Sequence, residues 1–128
     1  MKTKTKFAAL LAILSIGLST PALAHPKLVS STPAASATVG ATNRLTLTFS
    51  ERLMPRLSGV DLAMTGMPGM ANHAPMKIGG ATTAVGEDGK TLIVTLARPL
   101  TAGSYKVDWH AVAADTHRIV GSLTFTVR

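Results

Sequence analysis

Between Arg44 and Phe49 the chain reads Arg-Leu-Thr-Leu-Thr-Phe, which puts Leu45, Leu47 and Phe49 on one side and Thr46 and Thr48 on the other. A two-residue period with β-branched residues on the polar side is the pattern of a half-buried strand, and it cannot lay one apolar stripe along a helix. The pattern recurs in Val60, Leu62 and Met64. After a Glu87-Asp88-Gly89 turn it returns as Leu92, Val94 and Leu96. Thr101-Ala102-Gly103 then turns the chain into Tyr105, Val107 and Trp109, and Leu123, Phe125 and Val127 close it. Nothing in this region is convincingly helical. Short strands at such spacing, each with one buried face, predict an all-β fold: a small Greek-key sandwich or barrel.

The N-terminus follows a different logic. Lys2, Lys4 and Lys6 precede the apolar run Phe7–Leu18, and Ala22-Leu23-Ala24 ends the segment. Basic start, short apolar middle and small-residue end make residues 1–24 a secretory signal peptide, too short and poorly flanked for a membrane span. Cleavage after Ala24 leaves residues 25–128 as a single exported domain with His25 at its head. The three leader lysines leave with it, so thirteen Lys+Arg become ten against six Asp+Glu. Those ten are scattered, without a basic block or interleaved aromatics, and nucleic-acid binding is not expected. There is no cysteine, so any metal must be held by His, Met, carboxylate or the terminal amine.

One stretch fits none of the strands. Met64, Met67, Met70 and Met76, four of six methionines, fall with His73 in a run that also holds Gly66, Pro68, Gly69 and Pro75. Two prolines and two glycines in thirteen residues deny it a helix. It reads as a long loop whose soft side chains converge on something. Single methionines are usually core filler, but this segment lacks an ordinary core position. Thioethers with an imidazole suit Cu(I). A Met-rich surface that meets a flexible partner is the other reading.

The remaining candidates carry nitrogen and oxygen. As a first residue, His25 offers an α-amine and an imidazole that can chelate one ion, and an α-amine ordinarily has a pKa of about 8. Pro26 follows, and its nitrogen has no proton to lose. Asp115-Thr116-His117 supplies a carboxylate and an imidazole two residues apart, on one side if the segment is extended. Taken alone, that triplet reads as a turn cap with an exposed histidine. With the amine it makes a set suited to tetragonal Cu(II). Glu51 is either a further oxygen ligand, a partner for a ligating imidazole, or a solvated strand end. His110, beside Trp109, is expected to face outward.

These residues together resemble the CopC family of periplasmic copper-binding proteins over essentially the whole mature chain. The resemblance rests on His25 after the leader, Ser31-Thr-Pro-Ala34, Phe49-Ser-Glu51, Met64-Thr-Gly-Met-Pro-Gly-Met70, Tyr105-Lys-Val-Asp-Trp109, Asp115-Thr-His117 and Gly121. It implies a Greek-key β-barrel, cupredoxin- or immunoglobulin-like, with two copper sites at opposite ends. Met64, Met67, Met70, His73 and Met76 would be the pool of Cu(I) ligands. His25, Asp115, His117 and, as a candidate, Glu51 would hold Cu(II). The implied activity is copper carriage rather than catalysis, in copper resistance or homeostasis. An inner-membrane copper transporter or a periplasmic multicopper oxidase would be the partner, and the carrier would be a monomer or a copper-bridged dimer. Polysaccharide-cleaving copper monooxygenases also use an N-terminal histidine on a β-sandwich. They are longer, however, and have no use for a methionine loop.

Overall fold

The computed structural model describes residue 17 and residues 25–128; the expected signal peptide otherwise lies outside the described residues. Nine strands run in the order β1 Leu28–Thr32, β2 Thr38–Val39, β3 Arg44–Phe49, β4 Gly59–Gly66, β5 Met76–Lys77, β6 Ala81–Val85, β7 Thr91–Leu96, β8 Gly103–Val112 and β9 Arg118–Val127. A single 3-10 turn, Pro55–Leu57, is the helical content among them. One sheet has the order β1-β3-β7-β6 and the other β2-β9-β8-β4-β5. The chain passes from β3 to β4 and from β7 to β8 between sheets, and those four strands pair β3 with β7 and β4 with β8. That non-sequential pairing is the expected Greek-key sandwich.

The alternating residues build the core as their period dictates. Leu45, Leu47, Phe49, Leu62, Leu92, Val94, Leu96, Tyr105, Val107, Leu123, Phe125 and Val127 are all buried. Phe49 meets Trp109 edge to face with centroids 5.1 Å apart, and Tyr105 stacks on Phe125 at 5.5 Å. Each aromatic pair adds about 1 kcal/mol beyond its burial. The buried Tyr105 hydroxyl donates to the Thr101 carbonyl at 2.6 Å, so its polar end is satisfied.

The long ribbon of β8 and β9 sets the distance between the two ends of the molecule. Their register runs unbroken from Gly103↔Val127 to Val112↔Arg118. Ten residues at about 3.3 Å each span roughly 30 Å. The methionine run lies at the Gly103 end, because Gly66 pairs with Ser104. The turn bearing Asp115 lies at the other.

Candidate metal centre

At the turn end, two reciprocal hydrogen bonds deliver His25. The Lys27 amide donates to Ser50 Oγ at 2.9 Å, and the Ser50 amide donates to the Lys27 carbonyl at 2.9 Å. Pro26 is fully buried, so the chain is anchored immediately after the histidine. On the far side, β8 ends at Val112 and the Thr116 amide closes a turn onto the Ala113 carbonyl at 2.9 Å. The segment is therefore not extended. Thr116 sits at φ 64°, a left-handed conformation that costs a β-branched residue about 1–3 kcal/mol. Even so, the turn brings Asp115 and His117 to one spot.

The Asp115 side chain is 7% exposed, whereas those of His25 and His117 are 56% and 70% exposed. One carboxylate oxygen, Oδ2, contacts His25 Nδ1 directly and lies 3.7 Å from His117 Nδ1. The other, Oδ1, accepts the His117 amide at 3.2 Å. The two imidazole rings are 5.1 Å apart, tilted by 54°. Candidate ligand atoms from all three residues lie within 4.8 Å of one another, though His25 and Asp115 are 90 residues apart in sequence. A nearly buried carboxylate between two exposed imidazoles can hold a divalent ion at its solvent side, with small ring movements. Glu51 is half-buried, next to the Ser50 that anchors the His25 segment, and lies outside that three-residue set.

The methionine run proves to be less of a loop than its prolines and glycines suggest. Met64 belongs to β4 and is 8% exposed, and Met76 stands opposite it in β5. A register shift between Met64 and Gly66 ends the regular strand. Beyond it, Met67 and Met70 exchange two backbone hydrogen bonds of 2.9 Å. Pro68 and Gly69, with φ 83° at the glycine, form the turn between them in the type II pattern. Met67, Met70 and Met76 are exposed. Met64 and Met76 line a largely apolar cleft of about 460 Å³ with Tyr105, while Met67 and Met70 line a second cleft with Ser104. The pool of five is gathered at one end, but its members differ in access: one lies in the core and three are at the surface.

His73 is the most informative member. Its amide folds back to the Thr65 carbonyl at 3.0 Å, and its Nδ1 lies 2.8 Å from the Ala74 carbonyl. A carbonyl can only accept, so Nδ1 is the donor, and a neutral ring then carries its lone pair on Nε2. That Nε2 is buried and has no hydrogen-bond partner. Leaving such a group unpaired costs about 1–3 kcal/mol, a cost that either a water or a metal ion at Nε2 would remove. The orphaned nitrogen is not legible in sequence, because it depends on which carbonyl the other ring nitrogen meets.

His110 faces away from Trp109, as its place in the strand predicts, and its ring lies over Gly59, whose added Cβ would come within 3.0 Å of Cε1. Burial and then the nearby Arg118 hold its pKa below the ordinary 6.5, with Asp61 opposing. The folded chain thus binds this proton less tightly than the unfolded chain. Its contribution to stability is complete above 6.5 and is lost as pH falls through the folded value. A His110→Asn variant is expected to lose less stability than the parent between about pH 7 and pH 5. Urea titrations at both pH values read this directly, and parallel losses in the two proteins would refute it.

Comparison with known proteins supplies a second, independent line. A family model described as CopC domain matches residues 28–128. The chain is 50% identical to copper resistance protein C of Pseudomonas syringae pv. tomato, over 98% of this chain and 97% of that protein. It is 47% identical to copper resistance protein C of Escherichia coli, over 90% of each. The crystal structure of PcoC, a methionine-rich copper resistance protein from Escherichia coli, superposes with a TM-score of 0.75 at 47% identity, covering 82% of this chain and all of that one.

Proposed function

The chain belongs to the CopC family of copper-resistance proteins, and from that premise we propose that it is an exported copper carrier with two sites of opposite ligand softness. The observation that carries the reading is the meeting of His25 with Asp115 and His117 from distant parts of the chain. In the proposal, cleavage after Ala24 frees the α-amine of His25 in the periplasm. The amine, the two imidazoles and the Asp115 carboxylate then form a nitrogen/oxygen set for Cu(II), with Glu51 beside it. The thioethers of the methionine pool and His73 Nε2 form the set for Cu(I). A change of oxidation state makes copper prefer the other end of the molecule.

Carriage is favoured over oxygenation of a polysaccharide by the aromatic residues. A sugar-binding face needs exposed rings, but the sole Trp and the sole Tyr of the sequence, Trp109 and Tyr105, are 8% and 1% exposed. A full nitrogen/oxygen set that includes the Asp115 carboxylate would also leave little room for oxygen on the ion. The supply or removal of the ion falls to partners, for which an inner-membrane copper transporter and a periplasmic multicopper oxidase fit the family context.

Protons test the assignment. Thioethers have none to lose near neutral pH, so the Cu(I) set responds to protons only through His73, whereas the amine and both imidazoles of the other set must be deprotonated to bind. Mild acid is therefore expected to strip Cu(II) first and leave Cu(I) largely in place. Equal loss of both ions between neutral and mildly acid pH, followed with a chromophoric chelator for each, would count against two chemically distinct sites.

A further inference from the structure

The two halves of the three-residue centre come from distant parts of the chain, His25 on the N-terminal arm and Asp115 with His117 on the turn after β8. The connection from β3 to β4, residues 50–58, touches both. Its first residue, Ser50, holds the arm through Lys27. Its later residues hold the turn. The Met54 amide donates to the Val112 carbonyl at 2.8 Å. The Ser58 hydroxyl accepts the Val112 amide at 3.0 Å and donates to the same carbonyl at 3.4 Å. Between these grips the connection is itself pinned, since the Leu53 amide donates to the Gly89 carbonyl at 2.8 Å and the Leu57 amide to the Met54 carbonyl at 3.1 Å.

Ser58 is a buried polar residue, and a buried hydroxyl is costly unless it is hydrogen-bonded. Here both of its bonds go to one residue. The backbone ladder between β4 and β8 stops at Gly59↔His110, two residues before β8 ends. Ser58 lies just outside that ladder in an extended conformation, φ −117° and ψ 144°. Its side chain serves Val112 in place of the missing ladder partner. Val112 is the last residue of β8, and its final rung to β9 is Arg118. Three residues further on is Asp115, reached through the buried Ala113, whose carbonyl accepts the Thr116 amide at 2.9 Å. A shift at Val112 therefore reaches Asp115 and His117 with little chain in between to absorb it.

We propose that Ser58 is a positioning residue for the centre: by holding Val112 it sets where the Asp115 carboxylate meets His25. It touches no candidate ligand atom and acts through the backbone. With Ser50 at one end and Ser58 at the other, the β3–β4 connection is a splint that fixes the separation of the two halves. Donors held at their working separation need no ordering when the ion arrives, and that preorganisation appears as affinity. The proposal rests on the reading of His25, Asp115 and His117 as the Cu(II) set, and the test separates the two.

Cu(II) affinity is measured by chelator competition on the protein beginning at His25. Ser58→Ala leaves the Val112 amide without its partner and is expected to weaken Cu(II) about tenfold. Cu(I) should be unaffected at the methionine end, roughly 30 Å away. Ser58→Thr and Ser58→Val share one shape and differ in the hydroxyl, so Thr should bind Cu(II) nearly as the parent does and Val should resemble Ala. That pair decides the matter even if Ser58→Ala fails to fold. Val94→Ala opens a cavity in the core of the other sheet and should lower stability without changing Cu(II) affinity. The paramagnetic resonance spectrum of bound Cu(II) should be one species in the parent and a mixture in Ser58→Ala. In the copper-free chain, the Thr116 and His117 amides that close the turn should exchange about tenfold faster in Ser58→Ala. Unchanged affinity and spectrum in Ser58→Ala, where Asp115→Asn loses the ion, would overturn the proposal, as would an equal loss in Val94→Ala. If Cu(II) binding proves indifferent to Asp115→Asn, the copper reading has failed. Unaltered exchange at Thr116 and His117 would then overturn the positioning role on its own.

Discussion

Replacing Gly121 by alanine is expected to destabilise the protein by about 2–4 kcal/mol, lowering the melting temperature by roughly 10–25 °C. Gly121 faces Trp109 across β8 and β9, and the six-membered ring of the indole lies against it. A Cβ there would come within 2.3 Å of Cζ2 and 2.6 Å of Cε2. The ring has little freedom to retreat, since it is 8% exposed and Phe49 packs edge to face against it at 5.1 Å. Relief must come from an off-rotamer tryptophan or a separation of the strands, and both disturb the core. Gly40 is the control, because nothing lies within 4 Å of a Cβ built on it. Gly40→Ala is expected to stay within about 0.5 kcal/mol of the parent. Equal denaturation midpoints for the Gly121 and Gly40 variants would refute the packing account.

The second large effect is on metal affinity. Adding one residue before His25 converts its α-amine to an amide and leaves the fold untouched, because the anchor begins at Pro26 and Lys27. Loss of one chelating nitrogen from a four-donor set is expected to weaken Cu(II) by about 100-fold or more. Asp115→Asn is expected to cost about 10- to 100-fold, since it removes both the ligand charge and the contact that orients His25. Neither change reaches the methionine end, roughly 30 Å away, so Cu(I) affinity should be unchanged. Competition titrations against chelators of known strength measure both ions. A Cu(II) loss smaller than about threefold in the extended protein would remove the amine from the site.

Much of this was legible in the sequence, and the exceptions have physical causes. β3, β4, β7, β8 and β9 each bury one face, and burial writes a two-residue period. β1, β2, β5 and β6 leave no such trace, because edge strands are exposed on both faces and short or irregular. The chemistry of the site residues could be read from their types, but their distances could not. Two backbone bonds between Lys27 and Ser50, and a left-handed Thr116, decide where His25 and Asp115 meet. Met64 belongs to both sequence patterns, the Val60-Leu62-Met64 alternation and the methionine run, and the structure places it on β4 with its side chain 8% exposed.

The most direct test of the central claim is a copper titration of the protein beginning at His25, first under oxidising and then under reducing conditions. Two chemically distinct sites predict one Cu(II) bound through His25, Asp115 and His117, and separately one Cu(I) that survives a residue added before His25. A single site serving both oxidation states, or Cu(II) binding indifferent to that added residue, would contradict it.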